Sequence, residues 1–312
     1  MLTIASVSNA QYVDIEDANF KNALIEEGVD TDKDGEISRN EAEATEELWV
    51  FDKNISDMTG IEAFVNINTL ECSFNKLTNL DVSKNTALTQ LRCSENQLTS
   101  LDVSQCTLLE SLICQNNSLT SLDVSGCIDL WWLDCNYNQF TSLDVCNNTA
   151  LEYLGCGHNQ LTILDVYNNT ALRCLSCSNN QLTSLDVSNN TALSSLRCDS
   201  NQLISLNISK NINLPLGGGC CYICGPRIPG RLDLSYMPTL YEVCVWEMPF
   251  LPENFDFYVD TIGSPNVQFT TECAVNIPGE YTEKRIIDIY PNPSNDIINI
   301  EIENINNATI EI

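Results

Sequence analysis

The chain has 312 residues, 43% of them hydrophobic, and carries 14 basic against 43 acidic residues, a formal net charge of −29. Such a charge repels a phosphate backbone and excludes nucleic-acid binding, while a single histidine, His158, excludes metal centres built from two or three imidazoles. Length alone suggests two globular domains, and sixteen cysteines exceed ordinary usage without reaching the density of a small disulfide scaffold.

Residues 2–10 read LTIASVSNA, an apolar run closing on small residues. This resembles the end of a secretory signal peptide, with cleavage expected after Ala10, although a basic start is missing. Residues 11–47 follow as a small helical cap. Within it, residues 30–41 read DTDKDGEISRNE. Oxygen-bearing side chains stand at loop positions one, three, five, nine and twelve, and Gly35 at six allows the sharp bend. The loop resembles an EF-hand, and the resemblance implies a bound Ca2+. Asp30, Asp32 and Asp34 would give carboxylate oxygens, Glu36 its carbonyl, Ser38 a direct or water-mediated contact, and Glu41 a bidentate carboxylate. Flanking helices are expected over 17–27, with Phe20, Leu24 and Ile25 inward, and over 38–47. EF-hands usually pair, and this loop stands alone. It is similar to the calcium-binding N-terminal caps of some bacterial repeat proteins, which implies a structural ion.

From Leu70, seven consecutive units of 21 residues open at Leu70, Leu91, Leu112, Leu133, Leu154, Leu175 and Leu196, each close to LxCSxNQLTSLDVSxNTALxx. A 22-residue version precedes them, including NISDMTGIEAF, and the register returns after an insertion at 217–221, with Tyr222, Cys224, Leu232, Leu234 and Leu240 on the template and a further strand at Val243 and Val245. The pattern over 48–246 resembles internalin-type leucine-rich repeats. The expected fold is mostly β: a solenoid with one parallel sheet, a helical calcium-binding cap before it and a β cap after it. Leucines point inward as stripes, and each unit buries its core against its neighbours. The asparagine six residues into each unit, from Asn75 to Asn201, is expected to satisfy backbone groups at the turn, with Arg227 in its place after the insertion.

Seven cysteines, Cys72, Cys93, Cys114, Cys135, Cys156, Cys177 and Cys198, share the inward strand position. Parallel Cβ vectors about 4.8 Å apart do not suit a disulfide, which wants roughly 3.8 Å, so these are expected to be buried thiols. Cys174 and Cys177 form a CxxC whose members point to opposite faces. Cys106 and Cys127 occupy one convex-turn position, where other units have asparagine, and form a candidate disulfide. Cys220, Cys221, Cys224, Cys244 and Cys273 are candidates for cross-links near the C-terminal end, and their pairing stays open.

On the concave face, most outward positions are small or polar. In the fourth and fifth units the set becomes Trp132, Asp134 and Asn136, then Tyr153, Gly155 and Gly157, with Trp131, Tyr137 and His158 beside them. Aromatic rings next to glycines suggest a platform with room for a sugar ring or a partner's side chain.

The segment 247–273 reads as a β cap, with 255–273 a hairpin turning at 263–266, and 274–285 as a linker. Residues 290–302, YPNPSNDIINIEI, combine two prolines with alternating isoleucines. Residues 286–312 resemble the opening of the C-terminal sorting domain of Bacteroidota type IX secretion cargo, without its later strands. That resemblance implies export by the type IX machinery to the medium or the outer cell surface. No transmembrane segment and no catalytic domain are expected. The function implied is a secreted or surface binding module for a protein or glycan ligand, with a low-specificity adhesive or structural protein as the alternative and a secreted hydrolase behind both.

Overall fold

The computed structural model describes residues 12–214, 231–245, 258–272, 287–291 and 298–302, the last two segments as backbone. The predicted insertion at 217–221, Arg227, and Cys220, Cys221, Cys224 and Cys273 lie outside the described residues, as do 1–10 and the linker 274–285. The chain divides into two compact units, 1–160 and 161–312.

The first unit opens with Tyr12 bridged antiparallel to Ser38 and with helix α1, Ala18–Glu26. Asp17 caps α1, its Oδ1 accepting from the amides of Asn19 and Phe20 at 2.8 and 3.0 Å. Phe20, Ala23 and Leu24 are buried, whereas Ile25, expected inward, is 37% exposed. Ile25 lies within the helix but about 100° around it from Leu24, off the stripe that Phe20, Ala23 and Leu24 bury. Helix α2, Arg39–Ala44, is shorter than the predicted 38–47. It stops because Glu47 already belongs to the first strand of the sheet.

Strands β1 (Glu47–Trp49), β2 (Thr69–Glu71), β3 (Gln90–Arg92), β4 (Ser111–Ile113), β5 (Trp132–Asp134) and β6 (Tyr153–Gly155) pair in parallel and in order. The central leucine of each strand faces its counterpart, Leu70 to Leu91 to Leu112 to Leu133 to Leu154. All five are fully buried, so the 21-residue period is one turn of a parallel β-solenoid. Gly60 marks where the cap meets the first turn: its φ is +106°, and a Cβ there would stand 2.8 Å from Cγ1 of Ile15 and 2.9 Å from the Asp14 carbonyl.

The second unit holds β7 (Cys174–Ser176), β8 (Ser195–Arg197), β10 (Arg231–Asp233) and β12 (Tyr258–Asp260), again parallel. Its other sheet runs β9 (Ser205–Asn207), β11 (Glu242–Cys244), β13 (Gln268–Thr270), β14 (Ile287–Pro291) and β15 (Ile298–Ile302). Two expectations are corrected here. Residues 243–245 do not open a new turn: β11 pairs with β9 on the convex side of the Leu232 turn. Residues 255–273 are not a hairpin, because β12 and β13 pair in parallel with β10 and β11 in different sheets. They make another solenoid turn. Gly263, at φ +76°, takes the left-handed turn position, and Ser264 replaces the ladder asparagine: its hydroxyl donates to the Leu234 carbonyl at 2.7 Å and accepts from the Met237 amide at 2.8 Å.

Two polar ladders hold the turns. The residue five places into each unit has a left-handed backbone, at Phe74, Glu95, Asn116, Tyr137 and His158 in the first unit. For a non-glycine residue this costs about 1–2 kcal/mol. The asparagine that follows offsets it. Nδ2 of Asn117 donates to the carbonyls of Cys93 and Cys114 at 3.0 and 3.1 Å, while its Oδ1 accepts from the Leu98 amide at 2.9 Å. Asn75, Asn96, Asn138 and Asn159 repeat the scheme. The second ladder lies under the convex turns. Asn85 is fully buried, and its Nδ2 donates to the carbonyls of Ile61 and Phe64, both at 2.9 Å.

Cys106 and Cys127 stand in this second ladder and form no disulfide with each other. Their thiols point inward instead, Sγ of Cys106 lying 3.7 Å from the Val82 carbonyl and Sγ of Cys127 3.6 Å from the Cys106 carbonyl. A thiol in asparagine's place approaches the same pair of carbonyls as a weaker donor. The seven cysteines of the strand position are all buried thiols, and burial drives the Cys93 and Cys177 thiols up to about 12. Cys174 and Cys244, by contrast, are disulfide-bonded, the former from the outward face opposite Cys177. The exposed cysteine among the described thiols is Cys146. Native-state alkylation with iodoacetamide is therefore expected to modify Cys146 and to spare Cys72, Cys93, Cys106, Cys114, Cys127 and Cys135 until urea unfolds the unit. Peptide mapping that finds a ladder cysteine modified in the folded protein contradicts this burial.

Candidate functional site

Two places in the first unit carry chemistry beyond the leucine core. The first is the loop between α1 and α2. Ser38 and Glu41 form a capping box at the start of α2, and Oε1 of Glu41 also accepts from the amide and hydroxyl of Thr31 at 2.7 and 2.8 Å. Burial opposes ionisation of Glu41, but donors from Ser38 and Thr31 outweigh it and hold the carboxyl at about 2. Asp30, almost fully buried, accepts from the amides of Asp34 and Gly35 at 3.1 and 3.0 Å. Gly35 has φ +83°.

Of the six expected ligands, the structure brings Asp30, Asp32 and Glu41 together, with ligand oxygens within 4.8 Å of one another. Asp34 turns away. Its Oδ2 accepts from the Tyr12 hydroxyl and its Oδ1 from the Glu36 amide, both at 2.8 Å. The Ser38 hydroxyl donates to Glu41 at 2.8 Å, and the Glu36 side chain pairs with Lys21 at 2.7 Å. Burial and then the charges of Asp34, Glu41 and Asp30 raise the Asp32 carboxyl above its ordinary value. Three carboxylates crowded together repel, and a hard divalent cation taking oxygen ligands is the group that relieves this. The donor set fits calcium.

The cap is fastened to the first turn by Asp17, whose Oδ2 accepts from the amide and hydroxyl of Ser56 at 2.8 and 2.7 Å and from the Asp57 amide at 3.1 Å. Burial opposes these donors, which nevertheless lower Asp17 from 3.8 to about 2. A carboxylate with a depressed folded pKa contributes stability above its unfolded pKa, and that contribution is lost as pH falls through the folded one. Acid titration is thus expected to remove on the order of 1–2 kcal/mol between about pH 4 and pH 2, and Asp17→Asn to flatten that segment of the stability profile. An unchanged slope in the variant contradicts the assignment.

The second place is the outward face of β5 and β6. Trp132 and Tyr153 are partners in register, and their rings stack at 3.9 Å and 8°. Trp131 meets Trp132 edge-to-face at 5.7 Å and 77°. Three residues beyond the ends of the strands, Tyr137 and His158 stack at 3.9 Å and 11°. These rings form a cluster whose shape differs from the expected platform. Trp132 is 8% exposed, not an open platform. No room stands before Gly155: a Cβ there would meet Nδ2 of Asn136 at 2.5 Å and the Tyr153 hydroxyl at 2.9 Å. Asn136 fills that space, donating to Asp134 at 2.6 Å and accepting from the Gly157 amide at 2.5 Å. Burial raises the Asp134 carboxyl, and the bonds from Asn136 counter it only in part. Nε1 of Trp132 is buried without a hydrogen-bond partner. Trp131, Tyr137 and His158 remain exposed.

Sequence reasoning missed a second outward aromatic group at the first turns, Trp49, Phe51 and Phe74, of which Phe51 and Phe74 are more than half exposed. Applying the same outward-position rule to the irregular first unit would have found Trp49 and Phe51, and Phe74 holds the turn position that Tyr137 holds three units on.

The fold is a leucine-rich-repeat solenoid with a parallel sheet. Over 75% of its length the chain is similar to the functional domain of InlJ from Listeria monocytogenes, described as including a cysteine ladder, at 32% identity and a TM-score of 0.60, covering 57% of that chain. It is also similar to the leucine-rich-repeat protein LIC12759 from Leptospira interrogans, at 25% identity and a TM-score of 0.51, over 59% of this chain and 46% of that one. The chain thus spans about half the length of these two structures. No protein-family model matches it, and no curated protein does. No helix among the described residues is long and apolar enough to cross a membrane.

Proposed function

We propose that the protein is an exported, non-enzymatic binding module whose concave face holds a protein or glycan partner. One observation carries this: Trp131, Tyr137 and His158 lie exposed at outward positions, where they add nothing to the leucine core. The apolar run at 2–10 and the sorting-like segment 286–312 support export to the medium or cell surface through type IX machinery, and the disulfides at Cys174 and Cys244 fit an oxidising compartment. A calcium ion on Asp30, Asp32 and Glu41 completes the cap. Glycan and host-protein arrays probed with the wild-type chain and with Trp131→Ala and Tyr137→Ala variants test the reading. A ligand lost at least tenfold in both variants is expected; a ligand bound equally by all three chains places recognition elsewhere.

A further inference from the structure

We infer that the concave face of the first unit is shaped and charged to hold a basic polypeptide segment, with the rims of its stacked aromatic rings as the contact. The inference rests on the concave-face reading above and chooses between the two ligand classes left open there.

Ring orientation argues first. Trp132 and Tyr153 sit on paired strands and stack almost parallel, so their ring normals run from strand to strand along the sheet. Tyr137 and His158 do the same one step outward. A sugar packs its C–H face flat on an open aromatic face. Here each ring's partner occupies a face, and what turns to solvent is the rim. Ring edges carry the positive part of the aromatic quadrupole, and the Tyr137 rim, 49% exposed, adds a hydroxyl. Such a rim suits backbone carbonyls. The buried, unpartnered indole N–H of Trp132 adds a donor that small rearrangement of the cluster would bring to a partner's acceptor.

Charge argues second. At outward strand and turn positions in this unit stand Glu47, Asp52, Glu71, Glu95 and Asp134 against Arg92, with Lys53 after Asp52 paired to Glu26 at 2.7 Å and Lys76 exposed in the turn after β2. Arg92 is already engaged, 3.9 Å from Glu71 and 3.4 Å from Gln90. Glu110 extends the acidic row, its carbonyl accepting from the Trp131 amide. Lysine or arginine side chains of an extended segment find carboxylates on the β1 to β4 side of the aromatic rims, and neutral oligosaccharides find no complement to that charge.

Fluorescence anisotropy with a labelled 12-residue peptide alternating Lys and Thr, its Glu–Thr counterpart, and labelled cellohexaose and chitohexaose tests the inference on the full chain. The basic peptide is expected to bind at least tenfold tighter than the other three. Tyr137→Ala should weaken it about fivefold or more, and the pair Glu95→Gln with Glu110→Gln, which keeps the acceptor oxygens, about tenfold. Asp129→Asn, removing one exposed charge elsewhere, should leave it unchanged. Oligosaccharide binding lost in Tyr137→Ala overturns the polypeptide inference and leaves the concave-face reading standing. Peptide binding indifferent to Tyr137 and the glutamates, or weakened equally by Asp129→Asn, is attraction to net charge and overturns both. Binding of no probe overturns the inference as well.

Discussion

Asn138→Ala is expected to destabilise the first unit by about 2–4 kcal/mol. Nδ2 of Asn138 donates to the carbonyls of Cys114 and Cys135 at 3.1 and 3.2 Å, and its Oδ1 accepts from the Leu119 amide at 3.0 Å. Alanine leaves the Leu119 amide buried without a partner, at roughly 1–3 kcal/mol, and takes one donor from each carbonyl, Cys114 keeping Nδ2 of Asn117 and Cys135 keeping Nδ2 of Asn159, beside Tyr137 already in the left-handed region. Asn85→Ala in the second ladder supplies the contrast. It takes one donor each from the carbonyls of Ile61 and Phe64, which keep the amides of Phe64 and Ile67, orphans no amide, and also removes Oδ1 of Asn85, which is buried and unpaired in the native protein. Losing an already unsatisfied acceptor offsets part of the cost, so about 1 kcal/mol is expected there. Urea unfolding midpoints compared at a common slope measure both. Equal costs at the two positions would show that the orphaned oxygen carries no penalty and that the two ladders are energetically alike.

The same contrast explains what was legible in the sequence. Seven agreeing units fix the period, and a fixed period dictates parallel strands, inward leucines and the buried cysteine column, since side chains alternate along a strand by geometry alone. The first asparagine ladder was legible for the same reason. Convex turns have no such alternation rule. The shared position of Asn85, Cys106 and Cys127 was visible, but that their side chains point inward beneath two carbonyls was not, and the expected Cys106–Cys127 disulfide failed on that point.

The aromatic cluster follows a similar division. Outward-facing residues could be read from strand phase, so Trp132, Asp134 and Tyr153 were placed on the correct face. Phase says nothing about how neighbouring rings settle. Trp132 and Tyr153 sit in register at strand spacing, and at that spacing two aromatic rings gain more by stacking on each other than by standing open. The space before Gly155 was taken by Asn136 through the same local competition. At the C-terminal end, the insertion broke the period, and without the period 255–273 offered only alternation, which a hairpin and two solenoid strands share.

Chelation with EDTA is expected to lower the melting temperature of the calcium-loaded protein by roughly 5–10 °C. Calcium at about 100 times its dissociation constant stabilises a folded state by about 2.7 kcal/mol, and each kcal/mol moves the transition by roughly 2–4 °C in a chain of this class. The cap couples to the first turn through Asp17 and through Gly60 packed on Ile15, so loss of order in the loop uncovers the end of the leucine core. A variant separates calcium from mere chelator effects by sign. Asp32→Asn keeps the oxygen that accepts from the Asp34 amide but removes one of three crowded carboxylates. With calcium present the variant should melt below the wild type, because a charged ligand is gone. In EDTA it should melt above the wild type, because the repulsion that raises the Asp32 carboxyl is relieved. The order of the two chains therefore inverts on adding calcium. Melts that keep one order in both conditions, together with no heat on calorimetric titration of calcium, would make Asp30, Asp32 and Glu41 a solvated acidic turn and remove the ion from the account of how the solenoid's first end is closed.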